Sequence, residues 1–176
     1  MTTTRETRPD RAKSRLGGGE FLERAQADEQ AQGIVRVWTL CDLWLRHLEH
    51  RAFPSGYFFT GAFMEYGERR GPLANSLRAV MKTWLKALDR SIQQAQDRKQ
   101  LLSEPNAEET AFELNALLIG AYWAELAGSG KAYPAARVSV LNRFRSWASN
   151  RIASRHFKSL KAWNRYLKAG ARRSGV

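Results

Sequence analysis

The chain has 176 residues, enough to enclose a sizeable core as one domain, and six Trp with eight Phe supply bulky material for it. Its single cysteine, Cys41, excludes a disulfide framework and a cysteine-based metal site, and fits a reducing cytoplasm. The net charge of +12 is concentrated: residues 141–176 hold ten basic and no acidic side chains, whereas residues 21–140 balance fourteen of each, so the basic character belongs to a tail rather than to the core. The N-terminus carries no apolar stretch of a secretory signal, and the longest apolar run, Ala116–Ala124, is too short to span a bilayer.

In chain order, Met1–Gly19 is polar, charged and closed by three glycines, which reads as an arm and linker. The glycines lack the preceding strand and following Lys-Ser/Thr of a phosphate cradle. A helix is predicted from Glu20 to Gln32, with Gly33 breaking it. A second, Ile34–His50, sets Ile34, Val37, Trp38, Cys41, Leu45 and Leu48 on one face at three- and four-residue spacing, with Trp44 at its edge. His47 and His50 are spaced for a shared metal, but no further ligand accompanies them and a solvated helix end explains them better.

The segment Phe53–Leu77 is the densest in aromatics. Phe53, Tyr57, Phe58, Phe59, Phe63, Met64 and Tyr66 must be covered by the rest of the fold. A short helix is expected at Tyr57–Tyr66, and Pro72 after Gly71 suits the first position of the next helix. That helix, Leu73–Leu101, has one continuous stripe: Leu73, Leu77, Val80, Met81, Trp84, Leu88, Ile92 and Ala95. After a turn at Pro105, Asn106 and Glu109 form a capping-box pattern for a helix at Ala107–Ala127. This helix is apolar almost all round, with Phe112, Leu114, Leu117, Leu118, Ile119, Tyr122, Trp123 and Leu126. Burial on two sides is expected, by its own core and by a partner chain, with Gly120 and its neighbouring alanines permitting close approach.

Gly128-Ser129-Gly130-Lys131 ends that helix and is no phosphate loop, since Glu125 and Ala132 stand where Gly and Ser/Thr are needed. A further helix opens at Pro134 and runs to Ala148, striped by Val138, Leu141, Phe144 and Trp147 or Ala148. Arg151–Ala169 keeps helical spacing, with Ile152, Phe157, Leu160, Trp163 and Leu167 apolar and Arg155, Lys158, Lys161, Arg165 and Lys168 basic. Such a segment can pack on its own domain, bind nucleic-acid phosphates with Trp163 and Tyr166 stacking on bases, or lie on an anionic membrane. The fold expected is an all-α helical bundle. It divides into an arm at residues 1–19, a helical domain at 20–149 and a basic amphipathic tail at 150–176.

No catalytic set stands out. Gly-x-Ser-x-Gly and His-Glu-x-x-His are absent, and three His with one Cys leave little for acid–base or nucleophilic work. No cofactor is called for, and a small helical enzyme ranks last. Glu65 and Asn115 are polar residues among apolar neighbours, either satisfied core groups or orienting groups in a ligand cavity.

The phrase Leu40–Phe59 (LCDLWLRHLEHRAFPSGYFF), the Gly-Pro that opens a long amphipathic helix, and Ala107–Leu126 (AEETAFELNALLIGAYWAEL) together resemble the C-terminal regulatory domain of TetR-family transcriptional regulators. The likeness covers about residues 21–147. It implies a small, often hydrophobic effector held between the helices at 34–50, 57–66, 73–101 and 107–127. The candidate lining is Trp44, Phe58, Phe59, Phe63, Met64, Trp84, Leu88, Phe112, Asn115 and Tyr122. It also implies a dimer, with itself or with a full-length relative, through the last two core helices. Leu114, Leu118, Ala121, Val138, Leu141 and Arg145 are its candidate contacts. The family's helix-turn-helix head is not evident in Met1–Gly19, so DNA contact is expected only indirectly or weakly through the tail. The resemblance further implies a cytoplasmic, non-enzymatic regulator. The alternative is a nucleic-acid-binding helical protein acting through Arg155, Lys158, Lys161, Arg165 and Lys168.

Overall fold

The computed structural model describes residues 32–49, 58–148 and 165, with the side chains of Phe58, Phe59, Thr60 and Met64 outside that description. Residues 20–31 of the predicted helix, the residues Phe53 and Tyr57, and nearly all of the tail therefore lie outside the described residues. Five α-helices follow in order: α1 Ile34–Glu49, α2 Phe58–Tyr66, α3 Pro72–Asp97, α4 Ala107–Leu126 and α5 Ala132–Trp147. No strand occurs among the described residues; the one β-bridge joins Leu101 to Ala148.

The helices pack on one another around a shared core. α3 and α4 lie against each other, as do α4 and α5, while α1 rests on all three and α2 packs on α3. The predicted stripe of α1 is buried in full, and Leu40 and Trp44 widen it. From α3 the core receives Trp84, Leu88, Ile92 and Ala95; Leu73, predicted with them, stands at the exposed start of the helix. α5 contributes Tyr133, Ala136, Val140, Leu141, Phe144 and Trp147. Val138, expected in that stripe, is turned outward, because the inward phase runs through Ala136, Val140 and Phe144 at four-residue spacing. Phe144 meets Trp38 edge-on, with centroids 6.2 Å apart.

Helix ends carry local signals. At the start of α4, Asn106 Oδ1 accepts the Glu109 amide at 2.9 Å and Glu109 Oε2 accepts the Asn106 amide at 3.3 Å, which completes the capping box. α5 begins two residues before Pro134, whose missing N–H falls in the first turn where amides have no helical partner.

α3 ends four residues short of the predicted Leu101. Lys99 takes a left-handed φ of 56°; its amide donates to Gln96 O at 2.8 Å and the Gln100 amide donates to Ala95 O at 2.9 Å. This pair of bonds is a Schellman closure with lysine where glycine is usual. The turn behind it gathers distant parts of the chain. Gln100 Oε1 accepts the Ile34 amide at 3.0 Å, capping α1 from outside, and Arg98 hydrogen-bonds Gln32. Gly33 sits beneath, at φ +63°, where a Cβ would fall 2.0 Å from Gln100 Oε1. The Leu102 amide donates to Trp147 O at 2.7 Å, and Gln96 Nε2 donates to Leu102 O and Pro105 O at 2.9 Å each. The entry to α1 and the exit from α5 are thus tied to one turn.

Lys99→Gly relieves the left-handed strain without touching the surrounding bonds. Urea denaturation is expected to show the variant more stable by up to about 1 kcal/mol; a loss of stability would contradict the assignment of the turn.

Candidate functional site

The centre of the helical core is an aromatic pair with one polar anchor. Trp84, on the inward stripe of α3, is 1% exposed, and Trp44 of α1 stacks on it with ring centroids 4.7 Å apart at 30°. The indole N–H of Trp84 cannot reach water, and it donates to Asn115 Oδ1 of α4 at 3.0 Å. Three helices therefore meet at one stacked and hydrogen-bonded contact. Asn115 is half-buried, and its amide nitrogen has no partner among the described residues.

Leu88 lies one turn beyond Trp84 and is fully buried; Tyr122, two turns beyond Asn115, is buried in the same cluster. Phe63 of α2 is half-buried. Trp44, Trp84, Leu88, Asn115 and Tyr122 thus lie in or beside one core, while the side chains of Phe58, Phe59 and Met64 fall outside the described residues. Phe112 is a correction: at 74% exposed it faces solvent on the far side of α4, since three residues before Asn115 on so uniformly apolar a helix the phase is ambiguous. Glu65 is also exposed. Cys41 is wholly buried; burial, with the adjacent Asp42 charge, pushes its thiol far above the ordinary range, so it behaves as an inert apolar group.

α4 divides its apolar residues between two faces. Ala107, Ala111, Leu114, Leu118, Ala121 and Tyr122 point into the core. Leu114 and Leu118 are 0% exposed and Leu141 is 5% exposed, so these three are spent on the chain's own interior and leave nothing to present to a partner. Ala121 is buried too, at the floor of an outer groove. Val138 and Arg145 do face outward. The groove, of about 450 Å³, runs between α4 and α5 past Ala116, Gly120, Ala124, Ala132, Ala135 and Ser139. Phe112, Trp123, Leu126 and Val138 stand exposed on the same two helices. Glu113 at the groove is held by Arg143 at 2.6 Å.

α1 is clipped to α5 by charge. Arg137 Nε donates to Asp42 Oδ1 and its Nη2 to Glu49 Oε2, both at 2.8 Å, and Arg46 joins Asp42 at 2.7 Å. Burial alone would lower the Arg137 pKa, but the bonds and charges of the two carboxylates outweigh it and raise it. Nothing local in the sequence announces this cluster, since Asp42 and Arg137 are 95 residues apart.

A family profile described as "Tetracyclin repressor-like, C-terminal domain" matches residues 33–140, from the Gly33 turn to Val140 in α5. The chain belongs to the TetR family through this C-terminal domain. No curated protein and no solved structure matches it. Among the described residues, no helix is long and apolar enough to cross a membrane, and no three His, Cys, Asp or Glu side chains are grouped to hold a metal ion.

Asn115→Leu keeps the bulk but strands the Trp84 N–H in the core. Thermal and urea unfolding are expected to show a loss of about 1–3 kcal/mol, with Trp84→Phe suppressing most of the penalty; equal and additive losses would contradict the anchor.

Proposed function

We propose that the chain is the sensing and pairing part of a TetR-like transcriptional regulator, binding a small, hydrophobic effector and joining a second subunit through α4 and α5. Repression or its release would follow from the effector favouring one of two arrangements of the helices. No catalytic role is assigned. A cytoplasmic setting suits the single reduced Cys41.

What supports pairing is the outer face of α4. Exposed apolar side chains of this size are unusual on an isolated surface, and here they flank a groove lined by Ala, Gly and Ser. A self-complementary patch of knob and hollow is what a two-fold interface requires. The pairing surface is therefore read as Phe112, Ala116, Gly120, Trp123 and Ala124 with Ala135, Val138 and Ser139, and the buried Leu114, Leu118 and Leu141 are set aside. What supports effector binding is the aromatic Trp44–Trp84 pair with the half-buried Asn115 amide beside it, a donor for an apolar molecule that carries one hydrogen-bond acceptor. Phe63 and Tyr122, with Phe58, Phe59 and Met64 of α2, are proposed to complete the site.

The two halves are tested separately. At Gly120 an added Cβ meets no atom within 4 Å, so Gly120→Arg leaves the subunit room to fold while filling the groove. Light scattering at micromolar concentration is expected to give a dimer for the wild type and a folded monomer for the variant. A monomeric wild type, or a variant that still dimerises, would overturn the pairing face. For the effector, a thermal-shift screen of apolar aromatics is expected to yield a compound that stabilises the wild type by about 3 kcal/mol at a hundredfold excess over Kd. Its shift should fall sharply in Asn115→Ala; equal shifts in both proteins would place the site elsewhere.

A further inference from the structure

We infer that α2 is a hinged lid, latched by Arg78, through which an effector reaches the seam where Trp44 meets Trp84. What the lid admits rests on the effector reading above; its motion does not. The seam is shut. Trp44 and Trp84 are buried and Leu88 is fully so, and an apolar molecule reaches those rings only if a helix moves. Each of α1, α3, α4 and α5 packs on at least two of the other three, whereas α2 is nine residues long and packs chiefly on α3. The helix with the fewest packed neighbours is the one displaced at least cost. Ala62 of α2 is buried, as are Ala74 and Leu77 of α3, and none of the three belongs to the main core cluster. α2 and the head of α3 thus close on each other as a contact of their own, on the stretch of α3 that leads to Trp84.

The connector between them has the parts of a hinge and a latch. α2 closes its last turn at Gly67, whose amide donates to Phe63 O at 2.7 Å; a Cβ there would fall 2.3 Å from the same oxygen. Gly71, at φ +135°, turns the chain into Pro72 at the head of α3, a conformation that side chains with a Cβ rarely adopt. Between these two glycines one side chain fixes the angle. Arg78, exposed on α3, donates Nε and Nη2 to Gly67 O at 3.1 and 2.8 Å, Nη2 to Arg69 O at 2.7 Å, and Nη1 to Asn75 Oδ1 at 3.0 Å. The Arg69 guanidinium lies over the Tyr66 ring, 4.8 Å from its centroid, and adds a second tie between the connector and α2. Bonds from an exposed guanidinium compete with water, so they release readily, yet their fork geometry recloses the turn at one angle.

The motion is followed by alkylation with N-ethylmaleimide. Leu77→Cys places a thiol in the contact between α2 and α3, while the native Cys41, wholly buried in the main cluster, reports opening of the core. The introduced thiol should react well ahead of Cys41. Adding Arg78→Gln should accelerate it about tenfold and leave Cys41 unchanged; Arg90→Gln, exposed farther along α3, should alter neither. Equal rates at the two thiols, or a rate indifferent to Arg78→Gln, would overturn the lid. Should Leu77→Cys not fold, Ala74→Cys repeats the measurement, and hydrogen exchange of the unsubstituted protein checks it independently: amides of residues 62–66 should exchange ahead of those of α1, α4 and α5. Admission is read by stopped-flow quenching of tryptophan fluorescence with nitrobenzene, an apolar ring carrying acceptor oxygens. Exposed rings such as Trp123 are quenched within the mixing time, and the buried pair in a slower phase that Arg78→Gln should accelerate by the same factor. No slow phase, or one indifferent to Arg78→Gln, would overturn the lid as the way in. An effector shift unchanged in Asn115→Ala would instead discard the site and leave the alkylation result standing.

Discussion

The bundle is organised by a requirement of Trp84. A side chain that large must be enclosed to be worth its place in the core, yet its N–H loses water on burial and needs an acceptor. Asn115 Oδ1 provides the acceptor from α4, and Trp44 covers the ring face from α1. One residue of α3 thereby joins three helices at a single contact. An apolar substitute for Asn115 would pack but would leave the donor stranded, which is why a polar residue sits among the apolar positions of α4.

α4 carries the second constraint. Its apolar residues exceed what one core can use, and the fold resolves this by splitting them. Leu114, Leu118 and Tyr122 close the interior, whereas Phe112, Trp123 and Leu126 remain outside beside a channel of small residues. The small residues are as informative as the large ones. Ala116, Gly120 and Ala124 recur at four-residue spacing, so they lie in a row along the helix, and the row is hollow. Membership of the TetR family through its C-terminal domain gives these two features a common frame. The chain's own geometry then picks out the side chains proposed to act within it.

Much of the fold is legible from local pattern. The stripe of α1, the long stripe of α3 and the Asn106–Glu109 capping box each depend on residues within a turn or two of one another; the first and the last stand as expected, and on α3 Leu77, Trp84, Leu88, Ile92 and Ala95 are buried while Leu73 is exposed and Val80 and Met81 are half-buried. What local pattern misses has a physical origin in each case. On α4 the periodicity is weak because nearly every position is apolar, so the face that turns inward cannot be phased; Leu114 and Leu118 are core rather than contact, and Phe112 is surface rather than lining. α3 stops early because Lys99 adopts a conformation that sequence normally flags with glycine. Arg137 with Asp42 and Glu49, and Gln100 with Ile34, join positions many tens of residues apart, and no short-range signal marks them. The aromatic richness of the candidate site was visible, but its geometry depends on which helices cross at Trp84.

The most direct test of the account concerns the hollow row on α4. Cys41 is wholly buried and does not compete for oxidation, so a cysteine introduced by Gly120→Cys reports on that row alone. Under mild oxidation the variant should be captured as a disulfide-linked dimer, while Arg90→Cys on the exposed side of α3 stays monomeric on a denaturing gel. Efficient capture from Arg90→Cys with none from Gly120→Cys would show that α4 presents its hollow row to solvent and that the subunits meet by another face.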